Sequence, residues 1–570
     1  MILYHVIYLS ICRFSDRIET IYVKFIGMKN KKYIFVSGGV ISGVGKGTIT
    51  ASLSRLLEDH GYKVSPVKID MYLNVDAGTI RPQEHGEVFV LKDGLECDQD
   101  LGNYERFLGK SLTRNNYMTS GAVYLSVITQ ERAFKYKGED VEAIPHVTNE
   151  IIDRIKKAGK NSDIVVVELG GTVGEYQNGI FFEASRILKL NNPDDVINIH
   201  VAYLITPPSL GEMKTKPVQQ SVKILNSMGI QPDFIVTRSD VDLDQNRKEK
   251  LALHCNVPKD HVISSPDIDS IYKVPVVLER QKMDELVLQK LNLKINNSAK
   301  RKNGEKWRKF LDNIEESKKN PPIKIGLIGK YFKIGSFSLS DVYISVLESI
   351  KLAAWAQQRS VEIVWIDGEE VQKSNGDKLR HVDGIIVPGG FGARGIEGVI
   401  KAIQFARTNE VPYLGLCYGM QLACIEFARH VCGIKDANTT EINPKTANPV
   451  IHVMPEQEKK MLAQEYGGSM RLGSYEAQLK KGTITNRAYR TDVISERHRH
   501  RYEFNNKYRK ILTKNGLIIA GTSPDDKIVE IIELRDHPFF VGVQFHPEFQ
   551  SSPIKPHPLF VEFIKKVVER

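Results

Sequence analysis

Ser37-Gly-Gly-Val-Ile-Ser-Gly-Val-Gly-Lys-Gly-Thr48 follows an apolar run, Tyr33-Ile-Phe-Val36, and leads into 46–60, where Ile49, Leu53, Leu56 and Leu57 fall at helical spacing. A buried strand, a glycine turn and a helix start are expected in that order. Glycines at such a junction let backbone N–H groups close on an anion, and the helix dipole adds positive potential. Lys46 supplies a point charge that reaches terminal phosphates. The stretch departs from the strict phosphate-loop pattern at two places: Val40 stands where glycine is usual, and Gly47 where serine or threonine is usual. The expectation is a nucleotide phosphate loop, set against a glycine-rich turn that binds nothing.

The chain has 570 residues, enough for roughly two to four domains. The formal net charge is +10, with lysine-rich runs near 298–309 and 316–324 and the other basic residues scattered. That pattern suits a protein handling small anionic substrates better than one binding nucleic acid. Six cysteines, Cys12, Cys97, Cys255, Cys417, Cys424 and Cys432, form no CxxC pair, so neither a zinc site nor a disulfide framework is expected and the thiols fit a reducing cytoplasm. No apolar run approaches the roughly 20 residues of a membrane span. Residues 1–27 begin with an apolar stretch that lacks a basic leader and a cleavage site. They are expected to be a dispensable extension, with Met28 as the true start.

Further along, 62–70 reads as a second strand ending in Lys68 and Asp70. The polar, glycine-rich stretch 74–109 contains Asp76, His85, Glu87, Asp98 and Asp100 and is expected to be a functional loop without helical periodicity. Asp163-Ile-Val-Val-Val-Glu168 reads as a buried parallel strand that delivers its acid at the C-terminal edge of a sheet. Strands at 196–205 and 234–237 flank a helix opened by 211–219, where Pro217 suits the first turn. Alternating strands and helices predict a doubly wound parallel sheet over 28–293. Residues 294–322 form a linker, with Trp307, Phe310, Leu311 and Ile314 spaced for one docked helix. A second doubly wound α/β domain is expected over 323–570.

That second domain carries its own constellation. Gly384-Ile-Ile-Val-Pro-Gly-Gly390 is a strand ending in glycines, and Gly415-Leu-Cys-Tyr-Gly419 has the spacing of a nucleophile elbow. The helix that follows favours a thiolate at Cys417. His546 lies just past an apolar strand, and Glu548 two residues on can hold its tautomer while the ring takes the thiol proton. Backbone N–H groups of Gly390 and Tyr418 are candidates for an oxyanion hole. Cys424 and Cys432 read as core cysteines.

Together these segments resemble the CTP synthase family over 32–570. The resemblance rests on Gly38–Gly47, Gly86-Glu-Val-Phe-Val90, Asp98-Gln-Asp-Leu-Gly-Asn-Tyr-Glu-Arg-Phe107, Glu168-Leu-Gly-Gly-Thr-Val-Gly174 and Lys214-Thr-Lys-Pro-Val-Gln219 in the first half. In the second half it rests on Pro388-Gly-Gly-Phe-Gly-Ala-Arg-Gly395, Cys417-Tyr-Gly-Met-Gln421, Arg497-His-Arg-His-Arg-Tyr502 and Gln544-Phe-His-Pro-Glu-Phe549. It implies a phosphate-loop synthetase (amidoligase) domain of dethiobiotin-synthetase type joined to a class I glutamine amidotransferase domain. ATP would lie on Ser42, Gly43, Val44, Gly45, Lys46 and Gly47, with Arg238, Asp267 and Ile268 near its base. Asp100 and Glu168 would hold Mg²⁺. UTP, or CTP as product and inhibitor, would meet Ser42, Lys68, Glu175, Tyr176, Gln177, Lys214, Lys216, Gln219 and Lys250.

Glutamine would meet Gly390, Phe391, Tyr418, Gln421, Glu441 and Arg501, with Cys417, His546 and Glu548 as catalytic residues. The resemblance also implies an ammonia passage past His85 and Val88, GTP as activator with Arg394 a candidate for its site, and a cytoplasmic homotetramer. Three places depart from the family's pattern. Glu175-Tyr176-Gln177 replaces the usual Asp-Ile-Glu at the pyrimidine and feedback site, Tyr418 replaces leucine, and the 453–467 region is short. Three rivals stand beside this reading: an ATP-dependent amidotransferase acting on another acid, such as a corrin side chain, a catalytically silent filament or scaffold protein, and a nucleic-acid binder.

Overall fold

A computed structural model describes residues 31–570, apart from 210, 330–332, 335–336, 339, 375, 455–456 and 458–466. The expected extension 1–27 and most of the 453–467 region lie outside the described residues.

The apolar run becomes strand β1 (Lys32–Gly39), which continues into the first glycines of the quoted stretch. Successive side chains of a strand go to opposite faces. Ile34 and Val36 pack with Ile49, Leu53, Leu56 and Leu57 of helix α1 (Lys46–Asp59), whereas Tyr33 and Phe35 pack with Val67, Ile69, Val165 and Val167 on the other face. Burial on both faces is why the strand reads as an unbroken apolar run.

Strand β2 (Val64–Asp70) follows. The 74–109 stretch then differs from the expected loop. It holds a hairpin, β3 (Val88–Val90) with β4 (Glu96–Asp98), and a helix, α2 (Asp100–Leu108). Leu101, Tyr104, Phe107 and Leu108 of α2 are buried. These four fall at helical spacing, i, i+3, i+6 and i+7, which the expectation of a loop overlooks. The helix has only 9 residues and contains Gly102 and Asn103, both poor helix formers.

Strands β5 (Tyr117–Thr119), β6 (Ile164–Leu169) and β7 (Val196–Tyr203), helix α3 (Lys216–Ser227), and strands β8 (Phe234–Ser239) and β9 (Val262–Pro266) complete a parallel sheet in the order β5-β2-β6-β1-β7-β8-β9. The chain changes side at β1, between β6 and β7. Open α/β sheets bind ligands beyond the C-terminal strand ends at such a switch point, and the glycine loop, Asp70 and Glu168 all lie at those ends.

The linker segment contains helix α4 (Asn297–Ser317), which buries Trp307, Phe310 and Ile314. These side chains join Phe107 and Tyr272 of the first domain and Leu352 of the second in one apolar cluster.

The second domain opens with β10 (Ile323–Gly329), helix α5 (Ile344–Ala356), β11 (Val361–Asp367), β12 (Gly384–Val387), β13 (Tyr413–Leu416) and helix α6 (Tyr418–His430). It continues with β14 (Arg471–Leu479), β15 (Val493–His500), β16 (Leu517–Thr522), β17 (Val529–Leu534) and β18 (Phe540–Val543). Their order is β11-β10-β12-β13-β18-β17-β16-β14-β15. The first five strands are parallel and the rest antiparallel. Gly389-Gly390, Cys417 and His546 follow β12, β13 and β18, which are neighbours, so the topology gathers them at one edge.

The turn of the β3–β4 hairpin presses on β14. Ser474 N donates to Lys92 O at 3.0 Å. Gly94, at φ +84°, passes so close that a Cβ there would lie 2.9 Å from Leu472 O.

Candidate functional site

Two centres lie on opposite sides of that hairpin. The first surrounds Lys68, near the end of β2. Its Nζ is 3.0 Å from Glu168 Oε1, 3.7 Å from Asp70 Oδ1 and 4.0 Å from Asp98 Oδ1, and it also pairs with Asp100 Oδ2. Burial opposes the charge on Lys68, but these carboxylates outweigh it and hold its pKa well above the ordinary lysine value. Burial, reinforced by Asp100, raises Glu168 to about 7 against the pull of Lys68 and Lys46. Burial likewise raises Asp70 to about 6. Tyr104 Oη donates to Glu168 Oε2.

The glycine loop adjoins this cluster. Lys46 Nζ donates to Gly171 O at 2.7 Å, and burial lowers its pKa. A Cβ at Gly47 would overlap Asp100 Oδ1. The missing serine or threonine of the strict pattern leaves room for an acid: the carboxylate at the start of α2 occupies the space that a side chain at 47 would fill. Beneath the loop, His200 bridges Ser37 Oγ and Ser221 Oγ, both at 2.9 Å, and so ties β1 to α3. Arg238 pairs with Asp267 at 2.6 Å and lies beside the loop, 3.5 Å from where a Cβ on Gly45 would be. Ile268 is half-buried next to it.

The residues ascribed to uridine nucleotide binding are placed less compactly. Gln219 is buried and donates to Thr215 Oγ1 at 3.1 Å, and Lys214 pairs with Glu212 at 2.8 Å. Glu175 Oε1 accepts from Thr172 N at 2.6 Å. Tyr176, Gln177, Lys216 and Lys250 are exposed and do not join Lys68 in the acid cluster.

The second centre is built on backbone strain. Cys417, between β13 and α6, has φ 49° and ψ −95°, a conformation that costs a non-glycine residue energy and persists only when its surroundings enforce it. Cys417 N donates to Val543 O at 2.7 Å, and Tyr413 Oη donates to Gly419 O at 2.9 Å. Both flanking glycines are sterically required. A Cβ at Gly415 would lie 2.6 Å from Tyr413 Oη, and one at Gly419 would overlap Val387 O.

His546 Nδ1 is 2.7 Å from Glu548 Oε1, which fixes the ring and leaves Nε2 for the thiol. Burial works against a charged His546, but Glu548 and Cys417 outweigh it and raise its pKa to about 10. The ring stacks on Phe549 at 5.1 Å. Cys417, His546, Gly390, Phe391, Gln421, Glu441 and Arg501 line one cavity of about 450 Å³, and Glu441 Oε1 accepts from Gly392 N at 2.7 Å. Tyr418 turns its side chain away, with Oη donating to Gly392 O at 2.9 Å. Arg394 is exposed and pairs with Glu369 at 2.9 Å.

Sequence reasoning missed two neighbours of the thiol. Gln544 Nε2 lies 3.6 Å from Cys417 Sγ, and Arg499 O lies 3.8 Å from it. Gln544 stands two residues before His546, which was the available signal for it; a backbone carbonyl such as that of Arg499 has none in the residue type.

The segment 85–88 spans the two centres. Val88 lines the thiol cavity, whereas His85 Nδ1 is 2.9 Å from Asp98 Oδ2 in the acid cluster. Between them Glu87 is fully buried. Burial pushes it up to about 8, although Ser345 of the second domain donates to it.

Comparison with known proteins assigns both halves. The family described as CTP synthase N-terminus matches residues 32–293, and the family described as glutamine amidotransferase class-I matches 338–566. A CTP synthase of Caldanaerobacter subterraneus is 50% identical, covering 94% of this chain and 98% of its own. One from Carboxydothermus hydrogenoformans is 51% identical with the same coverage, 94% and 98%. A solved glutaminase domain of the Trypanosoma brucei CTPS, with bound acivicin, is 36% identical and covers 44% of this chain and 94% of that one at a TM-score of 0.40. The two sequence relatives carry the assignment: the chain belongs to the CTP synthase family.

Proposed function

We propose that the protein makes CTP from UTP, using ATP and the amide nitrogen of glutamine. The observation that carries this reading is the 85–88 segment, which lines the thiol cavity with Val88 and touches the acid cluster with His85. A glutaminase-type centre and a phosphate-handling centre on one continuous wall suit a reaction that makes ammonia in one place and consumes it in the other.

At the second centre Cys417 attacks the amide carbon of glutamine. His546 takes the thiol proton and returns one to the departing nitrogen, while Glu548 holds the ring. Backbone N–H groups at Gly390 and Tyr418 face the oxyanion. Ammonia leaves, and water hydrolyses the thioester to glutamate. At the first centre the γ-phosphoryl of ATP passes to O4 of the uracil ring, with Lys46 steadying it. Ammonia then attacks C4 and phosphate departs. An unprotected ammonia would become ammonium in water and lose its nucleophilic lone pair, which gives a closed passage past His85 and Val88 its value.

Asp100 and Glu168 suit Mg²⁺, because carboxylate oxygens are the donors a hard divalent cation prefers. Among the described residues no three such ligands already converge on a point. The cluster's negative charge is instead met by Lys68. When bound, the ion would neutralise phosphate charge during transfer.

CTP feedback at Glu175–Gln177, GTP activation near Arg394, a homotetramer and a cytoplasmic location belong to the same proposal. Among the described residues no helix is long and apolar enough to cross a membrane.

The test is CTP formation from UTP and ATP with glutamine or with ammonium. Product from both sources, and from neither after Lys46→Ala, is expected. No CTP from either source with the unsubstituted protein overturns the reading and leaves amidation of another acid as its rival.

A further inference from the structure

Strand β15 touches both reacting residues through its backbone, His546 at its main-chain N–H and Cys417 at its thiol. His546 N donates to Arg497 O at 2.8 Å, and Cys417 Sγ lies 3.8 Å from Arg499 O. The side chain of the same Arg497 leaves its own domain. Nη1 donates to Val90 O at 3.0 Å, and Nη2 donates to Glu105 Oε2 at 2.8 Å and to Ser111 Oγ at 3.2 Å. Arg497 is 1% exposed. Its guanidinium lies 5.4 Å from the Phe89 ring, Phe89 meets Phe549 edge-on at 4.9 Å, and Phe549 stacks on His546.

Glu105 sits on α2, which serves the other centre. Tyr104, the preceding residue, donates to Glu168, and Asp100 at the helix start pairs with Lys68 and fills the space beside Gly47. A phosphate or cation entering the acid cluster changes the partners of Asp100 and Glu168. Asp100 is part of α2, and Glu168 is bonded to it through Tyr104.

A buried arginine–glutamate pair is weak evidence for stability, because apolar residues of equal volume often serve as well. Here the pair joins the arginine whose carbonyl holds the histidine to the helix that begins with Asp100. We propose that Arg497 is a positioning residue: through Glu105 and α2 it sets the placement of His546 according to what occupies the phosphate-loop site, so that glutamine hydrolysis quickens when nucleotides bind. The inference rests on the function proposed above.

The test uses the full chain and compares glutamine hydrolysis with and without ATP plus UTP, alongside CTP formation from ammonium. Arg497→Lys keeps the positive charge but cannot reach Val90 O and Glu105 together. It is expected to retain ammonium-supported CTP formation within about twofold and to lose about fivefold or more of the nucleotide stimulation, through kcat rather than the KM for glutamine. Glu105→Gln, from the other side of the pair, is expected to reproduce that loss, and it serves as the deciding variant where Arg497→Lys lacks ammonium-supported activity. Full stimulation in either folded variant overturns the inference, as does an unsubstituted protein whose glutamine hydrolysis is indifferent to nucleotides. If the unsubstituted protein makes no CTP from either nitrogen source, the functional reading falls first and the inference with it.

Discussion

The acid cluster and the thiol elbow solve opposite problems. The elbow is set by the chain itself: Cys417 is held at a positive φ by two glycines whose Cβ positions are blocked, and its partners His546 and Glu548 are already 2.7 Å apart. The acid cluster is set by charge. Asp70, Asp98, Asp100 and Glu168 stay together because Lys68 lies among them. The thiol centre is therefore fixed by the backbone, whereas, on the function proposed above, the cluster around Lys68 would have to share its carboxylates with incoming phosphate and cation. A reaction that must not release ammonia idly has reason to keep the thiol centre under the control of the acid cluster.

The comparison breaks most sharply at the nucleophile. Cys417→Ala is expected to lower glutamine-dependent CTP formation by more than about 10³-fold while ammonium-dependent formation persists; equal loss of both in a steady-state assay would mean that the centres are not separable. Gly47→Ala probes the other side. A methyl that overlaps Asp100 displaces the acid from the loop, so CTP formation from either nitrogen source should fall by about 10²-fold, with nucleotide-free glutamine hydrolysis retained. Gly415→Ala strains the elbow directly. Overpacking of this kind costs about 1–3 kcal/mol, which should appear as a lower Tm together with loss of glutamine hydrolysis, and ammonium-dependent synthesis at permissive temperature should survive.

The last effect is on pH dependence and leaves the chemistry aside. Glu168 has its folded-state pKa raised to about 7 from 4.5. Between those values the folded state holds a proton that the unfolded state has lost, so this carboxyl makes the protein less stable as pH rises through that window. At 1.36 kcal/mol per pH unit the shift corresponds to an upper value on the order of 3 kcal/mol. Glu168→Gln, without nucleotide or divalent ion, should therefore gain Tm relative to the parent as pH goes from 4.5 to 7, and a gap that does not change with pH would contradict the assigned burial cost.

The two centres also differ in how legible they were. The elbow could be read from Gly415–Gly419 because its geometry is local, and the phosphate loop because strand, glycines, Lys46 and helix are contiguous. Helix α2 could not. Its apolar residues do fall at helical spacing, but over only nine residues that include the poor helix formers Gly102 and Asn103, and they are covered by Trp307 and Phe310 from a distant part of the chain. The departure at Gly47 was visible, but its cause was not, because Asp100 approaches from a separate element. The carbonyl of Arg499 escaped notice because a strand's backbone has no sequence signature for the atom it will face, and Gln544 because its side chain meets Cys417 from a separate part of the chain.

The nitrogen of the product offers the most direct measurement. With glutamine labelled at its amide nitrogen and unlabelled ammonium in the medium, the account predicts CTP whose exocyclic nitrogen carries more label than the bulk ammonium pool. CTP labelled only to the level of that pool would contradict a shared wall that passes ammonia from Cys417 to the phosphate-loop site.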